Sequence, residues 1–205
     1  EIRLSLVGSE MCIRDREKER KMKLLLTSAG FENKRIAEIF LALAGKRPEN
    51  IKAVFIPTAA VNADAIEVLP KCLHDLLDCG IPKENIRVYD LHKKMTLEEL
   101  KGYDAVYVCG GDTGYLLDRI DEQDFRSVLL AFIEQGGVYV GVSAGSQAAA
   151  GNLKNSFGYP ACPIHVHCSE GMSPGPVDRN GCRQLRITNN QAVLVTDGMD
   201  IRIVE

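Results

Sequence analysis

The chain contains no tryptophan, and only four of its 205 residues are histidine, so chemistry that needs an imidazole is confined to His74, His92, His165 and His167. Long apolar runs are also missing. No stretch approaches the ~18 residues that a membrane span needs, and arginines interrupt "IRLSLVGSEMCIRDR" where a signal peptide would carry its apolar middle. The seven cysteines are odd in number and lack both a CxxC pair and the dense spacing of a small secreted framework. They read as reduced thiols of a cytoplasmic protein. A strong excess of either charge is absent too. A formal net charge of -3 offers no general attraction to nucleic acid or to an anionic membrane, which leaves small-molecule, uncharged-polymer and peptide substrates open.

What is present is the composition of one globular domain. Hydrophobic residues make up 45% and charged residues 26%, and a chain of this length buries a core without metals or disulfides as staples. "SLVGSEMCIRDR" resembles translated sequencing-adapter sequence and is followed by the charged run "EKERK". Residues 1 to 21 are therefore expected to be a non-native or disordered leader, and residues 22 to 205 a single α/β domain beginning at Met22.

From Lys23 onward, apolar stretches alternate with helical periodicity. "KLLLTSAG" reads as a strand, and "NKRIAEIFLALAG" as a helix with Ile36, Ile39, Phe40 and Leu43 on one face. "IKAVFIP" is a second strand, ended by Pro57, and "DAIEVLPKCLHDLLDCG" a helix that Pro70 kinks and Gly80 ends. "NIRVYDL" and "YDAVYVCGG" are strands separated by a helical turn that opens on Thr96. "TGYLLDRI" and "DFRSVLLAFIEQGG" are helices, and "VYVGVS" is the next strand. Such alternation with short connections predicts a mainly parallel sheet with helices on both faces. Beyond Gly151, loops rich in Gly, Pro and Ser separate "IHVHC", "QLRIT", "AVLVT" and "IRIVE", which predicts an antiparallel C-terminal extension of the same sheet.

The "VYVGVS" strand runs into "AGSQAAAG", so Gly141, Ser143 and Gly145 spell G-x-S-x-G at a strand-to-helix junction. A nucleophile on a sharp turn projects its oxygen from the sheet edge, and flanking glycines remove side chains that would collide there. The same turn sets the Ala144 amide at a helix N-terminus, where unpaired N–H groups favour a developing oxyanion. "CGGDTGYLL" ends the strand before it, and Gly110 and Gly111 bring a second backbone segment toward the same carboxyl edge. This loop lacks the lysine of a P-loop and does not complete G-x-G-x-x-G, so no nucleotide or other cofactor is expected.

"CGGDTGYLL", "GVSAGS" and "TNNQAVLV" together resemble the peptidase E (aspartyl dipeptidase) and cyanophycinase family of serine peptidases. That resemblance implies a fold like the class I glutamine amidotransferases, with Ser143 as nucleophile and the amides of Gly111 and Ala144 as oxyanion hole. It also implies hydrolysis of small peptides through an acyl-enzyme, with an acidic N-terminal residue preferred. Serine at the elbow argues against glutaminase chemistry, which uses cysteine there; Cys109 is expected in the core. Asp112 stands where the family writes asparagine, adding a negative charge beside the presumed site.

The family's histidine follows the nucleophile, which points to "PIHVHC". Period-two alternation puts His165 and His167 on one face, so spacing does not separate them. His167 is chosen as the base because it stands at the strand's end beside the loop. Cys162, His165, His167, Cys168 and Cys182 include metal-ligand types, but their spacing matches no compact zinc module, and no metal is expected. Gly181 occupies the place of the family's orienting glutamate, leaving Asp178 and Glu170 as nearby acids. Arg179, Arg183 and Arg186 are the candidate readers of a substrate carboxylate. The rival readings are a non-catalytic or weakly active binding relative and a cyanophycinase-like isopeptide hydrolase.

Overall fold

In the computed structural model, residues 22–178, 180–196 and 200–205 are described. The leader with Cys12, the candidate Arg179 and most of the "DGMD" turn lie outside them.

The apolar stretches become the middle of an eight-stranded sheet, in which β1 (Lys23–Thr27), β2 (Ala53–Ile56), β3 (Ile86–Val88), β4 (Ala105–Val108) and β5 (Val138–Val142) run parallel in the order β3-β2-β4-β5-β1. β2, β4 and β5 are buried at every residue. They sit between helices on both faces, which is why they read as continuous apolar runs rather than as alternation. The pleat still sorts their side chains. Leu24, Leu26, Val54, Val106 and Tyr139 face one core with Leu116, Leu129 and Ile133, while Leu25, Phe55, Tyr107 and Val140 face the other with Ile36, Phe40 and Leu76.

The covering helices start and stop where their caps dictate. α1 (Lys34–Ala44) is capped by Asn33, whose side chain accepts from Ile36 N, and it ends at Gly45 in the left-handed region. Pro70 does more than kink its helix. The segment divides into α2 (Ala63–Glu67) and α3 (Leu69–Asp78), with the proline in the first turn of α3, where its missing N–H costs nothing. Thr96 and Glu99 form a reciprocal capping box on α4 (Leu97–Leu100). α5 (Thr113–Glu122) and α6 (Phe125–Glu134) follow β4, and α7 (Ala144–Ala149) follows β5. Among the described residues, no helix is long and apolar enough to cross a membrane.

The C-terminal region extends the sheet with antiparallel strands, as expected, but with different members. β9 (Ala192–Thr196) pairs with β1, β10 (Asp200–Val204) with β9, and β7 (Gly175–Val177) with β10 at the edge, where Pro176 is tolerated. "IHVHC" and "QLRIT" instead leave the main sheet. Their cores, β6 (Ile164–His165) and β8 (Leu185–Arg186), form a separate two-stranded parallel sheet. The expectation that every cysteine is a reduced thiol is corrected as well: Cys162 and Cys182 are joined in a disulfide, while Cys72, Cys79, Cys109 and Cys168 are free. Folding of the chain between them brings the pair together, and the cytoplasmic location loses the support it drew from reduced thiols.

Candidate active site

The carboxyl ends of β1, β4 and β5 meet at one edge of the sheet, and each contributes a loop to a cleft of about 360 Å³. Ser143 sits at the end of β5 with φ 48° and ψ -104°, a conformation that L-residues rarely adopt. The surroundings hold it there. Ser143 N donates to Thr27 O at 3.0 Å, and Ser146 Oγ lies 2.7 Å from Thr27 O and 2.8 Å from Gly141 O, its one hydrogen shared between the two carbonyls. Both glycines of the motif are needed for close approach: a Cβ on Gly141 would stand 2.7 Å from the Gly145 carbonyl carbon, and one on Gly145 would strike Val108 O.

The β4 loop arrives against the same serine. A Cβ on Gly110 would lie 3.2 Å from Ser143 Cβ and 3.8 Å from Oγ. Gly111 has φ 138°, and a Cβ there would collide with the Ala59 carbonyl, so only glycine fits. Cys109 N and Asp112 N donate to Ile56 O and Ala59 O, and Gly111 between them lines the cleft with Ser143. Ala144 opens α7, so its amide has no carbonyl one turn back within the helix. Asp112 takes a structural task. Its side chain accepts from Tyr115 N at 2.8 Å as the cap of α5, where the helix dipole favours negative charge.

His167 reaches Ser143, with Nε2 3.0 Å from Oγ. Its backbone φ of 55° breaks the period-two alternation expected of "IHVH", which separates it from His165, left exposed on β6. His74 and His92 lie on the surface beside Asp78 and Asp90. On the far side of the ring, Nδ1 is 2.8 Å from Asn189 Oδ1 and 3.3 Å from Ser28 Oγ. Ser28 Oγ accepts from His167 N at 2.6 Å and donates to Asn189 Oδ1 at 3.1 Å. With the single hydroxyl hydrogen committed to Asn189, the network assigns the ring proton to Nδ1 and leaves the Nε2 lone pair for the Ser143 hydroxyl.

No carboxylate stands beside the ring among the described residues; an amide does. Asp178 accepts from Asn180 N within its own turn, near the exposed Gly181, and Glu170 is exposed. Asn189 and Ser28 by themselves carry no signal of their role in the sequence, because both are neutral and the expected orienting group is a carboxylate. The available signal was "TNNQ", a polar turn inside a stretch already singled out. Of the candidate arginines, the two that are described are likewise not at the cleft. Arg183 lines a separate depression beside the disulfide, and Arg186 is exposed on β8. The cation among the described cleft residues is Lys71, which bonds to Glu32. Of the residues weighed as metal ligands, Cys162 and Cys182 are bonded to each other and His167 to Ser143.

Behind the cleft lies a buried polar cluster. Asp75 accepts from Phe31 N at 2.9 Å and from the Tyr107 hydroxyl, bracing the loop that carries Ser28. Burial pushes the Asp75 carboxyl up, against the opposing pull of these two hydrogen bonds. Cys109 is buried as expected and faces Cys72, whose thiol it draws down, while burial drives its own thiol well up.

A parallel α/β sheet that presents a strained serine at its carboxyl edge, hydrogen-bonded to an imidazole, defines the class: an α/β protein with a serine elbow. The chain belongs to peptidase family S51, whose model matches residues 24–163. That match ends before His167 and Asn189, so the imidazole half of the site rests on geometry. The chain is 25% identical over 132 residues to an uncharacterized peptidase of Pasteurella multocida (strain Pm70), covering 64% of this chain and 62% of that protein. It is 29% identical over 122 residues to Peptidase E of Shewanella amazonensis, covering 59% of this chain and 50% of that one. It thus spans less than two thirds of the length of these curated relatives. A Listeria monocytogenes EGD-e crystal structure described as a candidate peptidase E superposes with a TM-score of 0.66 at 20% identity, covering 90% of this chain and 98% of that one. A peptidase from an acI-B1 Actinobacterium superposes at 0.63 and 18% identity, covering 91% and 88%. Both establish likeness of fold.

Proposed function

We propose that the chain is a serine-type peptidase that hydrolyses small peptides through an acyl-enzyme, and that the domain responsible begins at Met22. The observation that carries this reading is the 3.0 Å contact between Ser143 Oγ and His167 Nε2 at the mouth of the cleft. Ser143 Oγ attacks the scissile carbonyl carbon while its proton passes to Nε2. The oxygen of the tetrahedral intermediate takes the negative charge and is held by the N–H groups of Gly111 and Ala144. Collapse breaks the C–N bond, and the leaving amine takes the proton back from Nε2. A water then enters by the same route, freeing the acid and restoring the serine. Asn189 keeps Nδ1–H in place throughout, the role an amide plays in Cys-His-Asn sites.

A cleft of about 360 Å³ suits a short peptide rather than a folded protein. For an acidic N-terminal residue it offers the Lys71 ammonium, whose bond to Glu32 a substrate carboxylate would have to replace. This favours aspartyl dipeptidase specificity through Lys71 over a reading through Arg183 or Arg186.

Steady-state hydrolysis of Asp-Xaa, Ala-Xaa and Lys-Xaa dipeptides, with a branched aspartyl-arginine substrate beside them, tests the reading. The expected result is turnover of Asp-Xaa, abolished by Ser143→Ala and weakened chiefly in KM by Lys71→Met. Preference for the branched substrate would mark an isopeptide hydrolase. No turnover of any of them would leave a binding scaffold.

A further inference from the structure

The Cys162–Cys182 disulfide takes no part in the steps above, yet it joins the roots of the two strands that lead to the imidazole and to its amide partner. β6 starts two residues after Cys162 and leads to His167, and β8 starts three residues after Cys182 and leads to Asn189. The ladder between them is short. It has two register positions, Ile164↔Leu185 and His165↔Arg186, and backbone bonds from Leu185 N to Pro163 O (2.8 Å), Ile187 N to His165 O (3.0 Å) and Cys168 N to Ile187 O (3.1 Å). A two-stranded pairing of this size is marginal by itself.

Ser28 bonds both arms at their tips, through His167 N and Asn189 Oδ1, but at their roots they are anchored to different parts of the molecule. On the β6 arm, the Asn152 side chain accepts from Ile164 N at 2.9 Å and donates to Ile164 O at 2.8 Å, and Gly151 N donates to Cys162 O at 3.3 Å. This arm therefore follows the end of α7, the helix that opens at the serine. On the other arm, Asn33 Nδ2 donates to Asn190 O at 2.7 Å, tying it to the cap of α1 and the start of β9. A slip of one residue between β6 and β8 displaces one arm by about 3.3 Å, which breaks a 2.8 Å hydrogen bond between His167 and Asn189.

We propose that Cys162 and Cys182 are a positioning pair: their covalent bond fixes β6 against β8 and so holds Asn189 on Nδ1 of His167 and Nε2 on Ser143. The proposal rests on the peptidase reading for its consequence in turnover, but not for its geometry. Both cysteines line a surface depression of about 450 Å³ with Pro160 and Pro163, which opens the bond to a small reductant. A dithiol such as dithiothreitol attacks one sulfur to form a mixed disulfide, then closes on itself. It is oxidised by two electrons, and Cys162 and Cys182 each receive a proton.

The test compares oxidised protein, dithiothreitol-reduced protein and a Cys162→Ala/Cys182→Ala double variant in two measurements: dipeptide kinetics and the proton NMR signal of the His167 Nδ1–H. In the reduced protein and the double variant, kcat is expected to fall by on the order of tenfold to a hundredfold with KM unchanged. The ring N–H signal broadens or vanishes, oxidised glutathione restores only the wild type, and dithiothreitol has no further effect on the double variant. Unchanged kcat and an unchanged ring signal after reduction overturn the proposal. So does a global loss of near-ultraviolet circular dichroism, which would make the bond a general staple. Should the oxidised wild type cleave no peptide, the peptidase reading fails, and the ring proton still decides the positioning role.

Discussion

Oδ1 of Asn189 lies 2.8 Å from Nδ1 of His167, so a neutral amide orients the imidazole that faces Ser143. The amide oxygen also accepts from Ser28, which makes the ring orientation a shared property of three side chains. Asn189→Ala removes the acceptor and leaves the ring free to turn. Loss of one such partner is worth about 1–3 kcal/mol, so kcat is expected to fall about ten- to a hundredfold. Asn189→Asp keeps the acceptor and adds a charge that stabilises the imidazolium, so its kcat should match or exceed wild type. Peptide turnover by the two variants checks both directions.

The elbow is held by close backbone contacts, and a methyl group added inside it has nowhere to go. Gly145→Ala would drive Cβ into Val108 O, separating β4 from α7. The expected cost is about 1–3 kcal/mol, seen as a lower urea midpoint with an unchanged m-value. Gly45→Ala is the control for space, since nothing lies within 4 Å of its Cβ position; its φ of 66° makes any loss there conformational.

Asp75 gives stability a pH dependence of definite sign. Burial raises its folded-state pKa above the unfolded value of about 3.9. Its contribution is therefore full below that value and is lost as pH rises through the folded pKa. Oδ2 accepts both hydrogen bonds, so an amide oxygen in its place can keep them. Asp75→Asn is expected to flatten the decline in stability above pH 4. Urea unfolding across that range checks it, and a steeper decline in the variant would contradict it.

Thiol reactivity should follow position. Burial pushes the Cys79 thiol up to about 11, whereas Cys72, at the cleft wall, is drawn down by Cys109 facing it. Brief iodoacetamide treatment near pH 8, followed by peptide mapping, is expected to label Cys72 ahead of Cys79.

Much of the central sheet was legible because its strands are buried on both faces and leave unbroken apolar runs between helical periodicities. The elbow was legible because the close contacts of Gly141 and Gly145 demand a spacing that shows in the letters. Other features leave weaker marks. β6 and β8 are two residues long, too short for periodicity to reveal that they leave the main sheet. Pro176 argued for a loop, but an edge strand accepts it. His167 escaped the alternation rule through its positive φ, which the sequence does not announce. Asn189 was hidden because an amide lacks the charge by which a third catalytic partner is usually sought, and the disulfide because pairing among scattered cysteines depends on the path of the loops.

The most direct test of the account is intact-mass analysis after incubation with a serine-directed fluorophosphonate. The account predicts a single adduct on Ser143 of the wild type, absent in Ser143→Ala and formed far more slowly in His167→Ala. A wild-type protein that stays unmodified, or one labelled equally fast without His167, would contradict it.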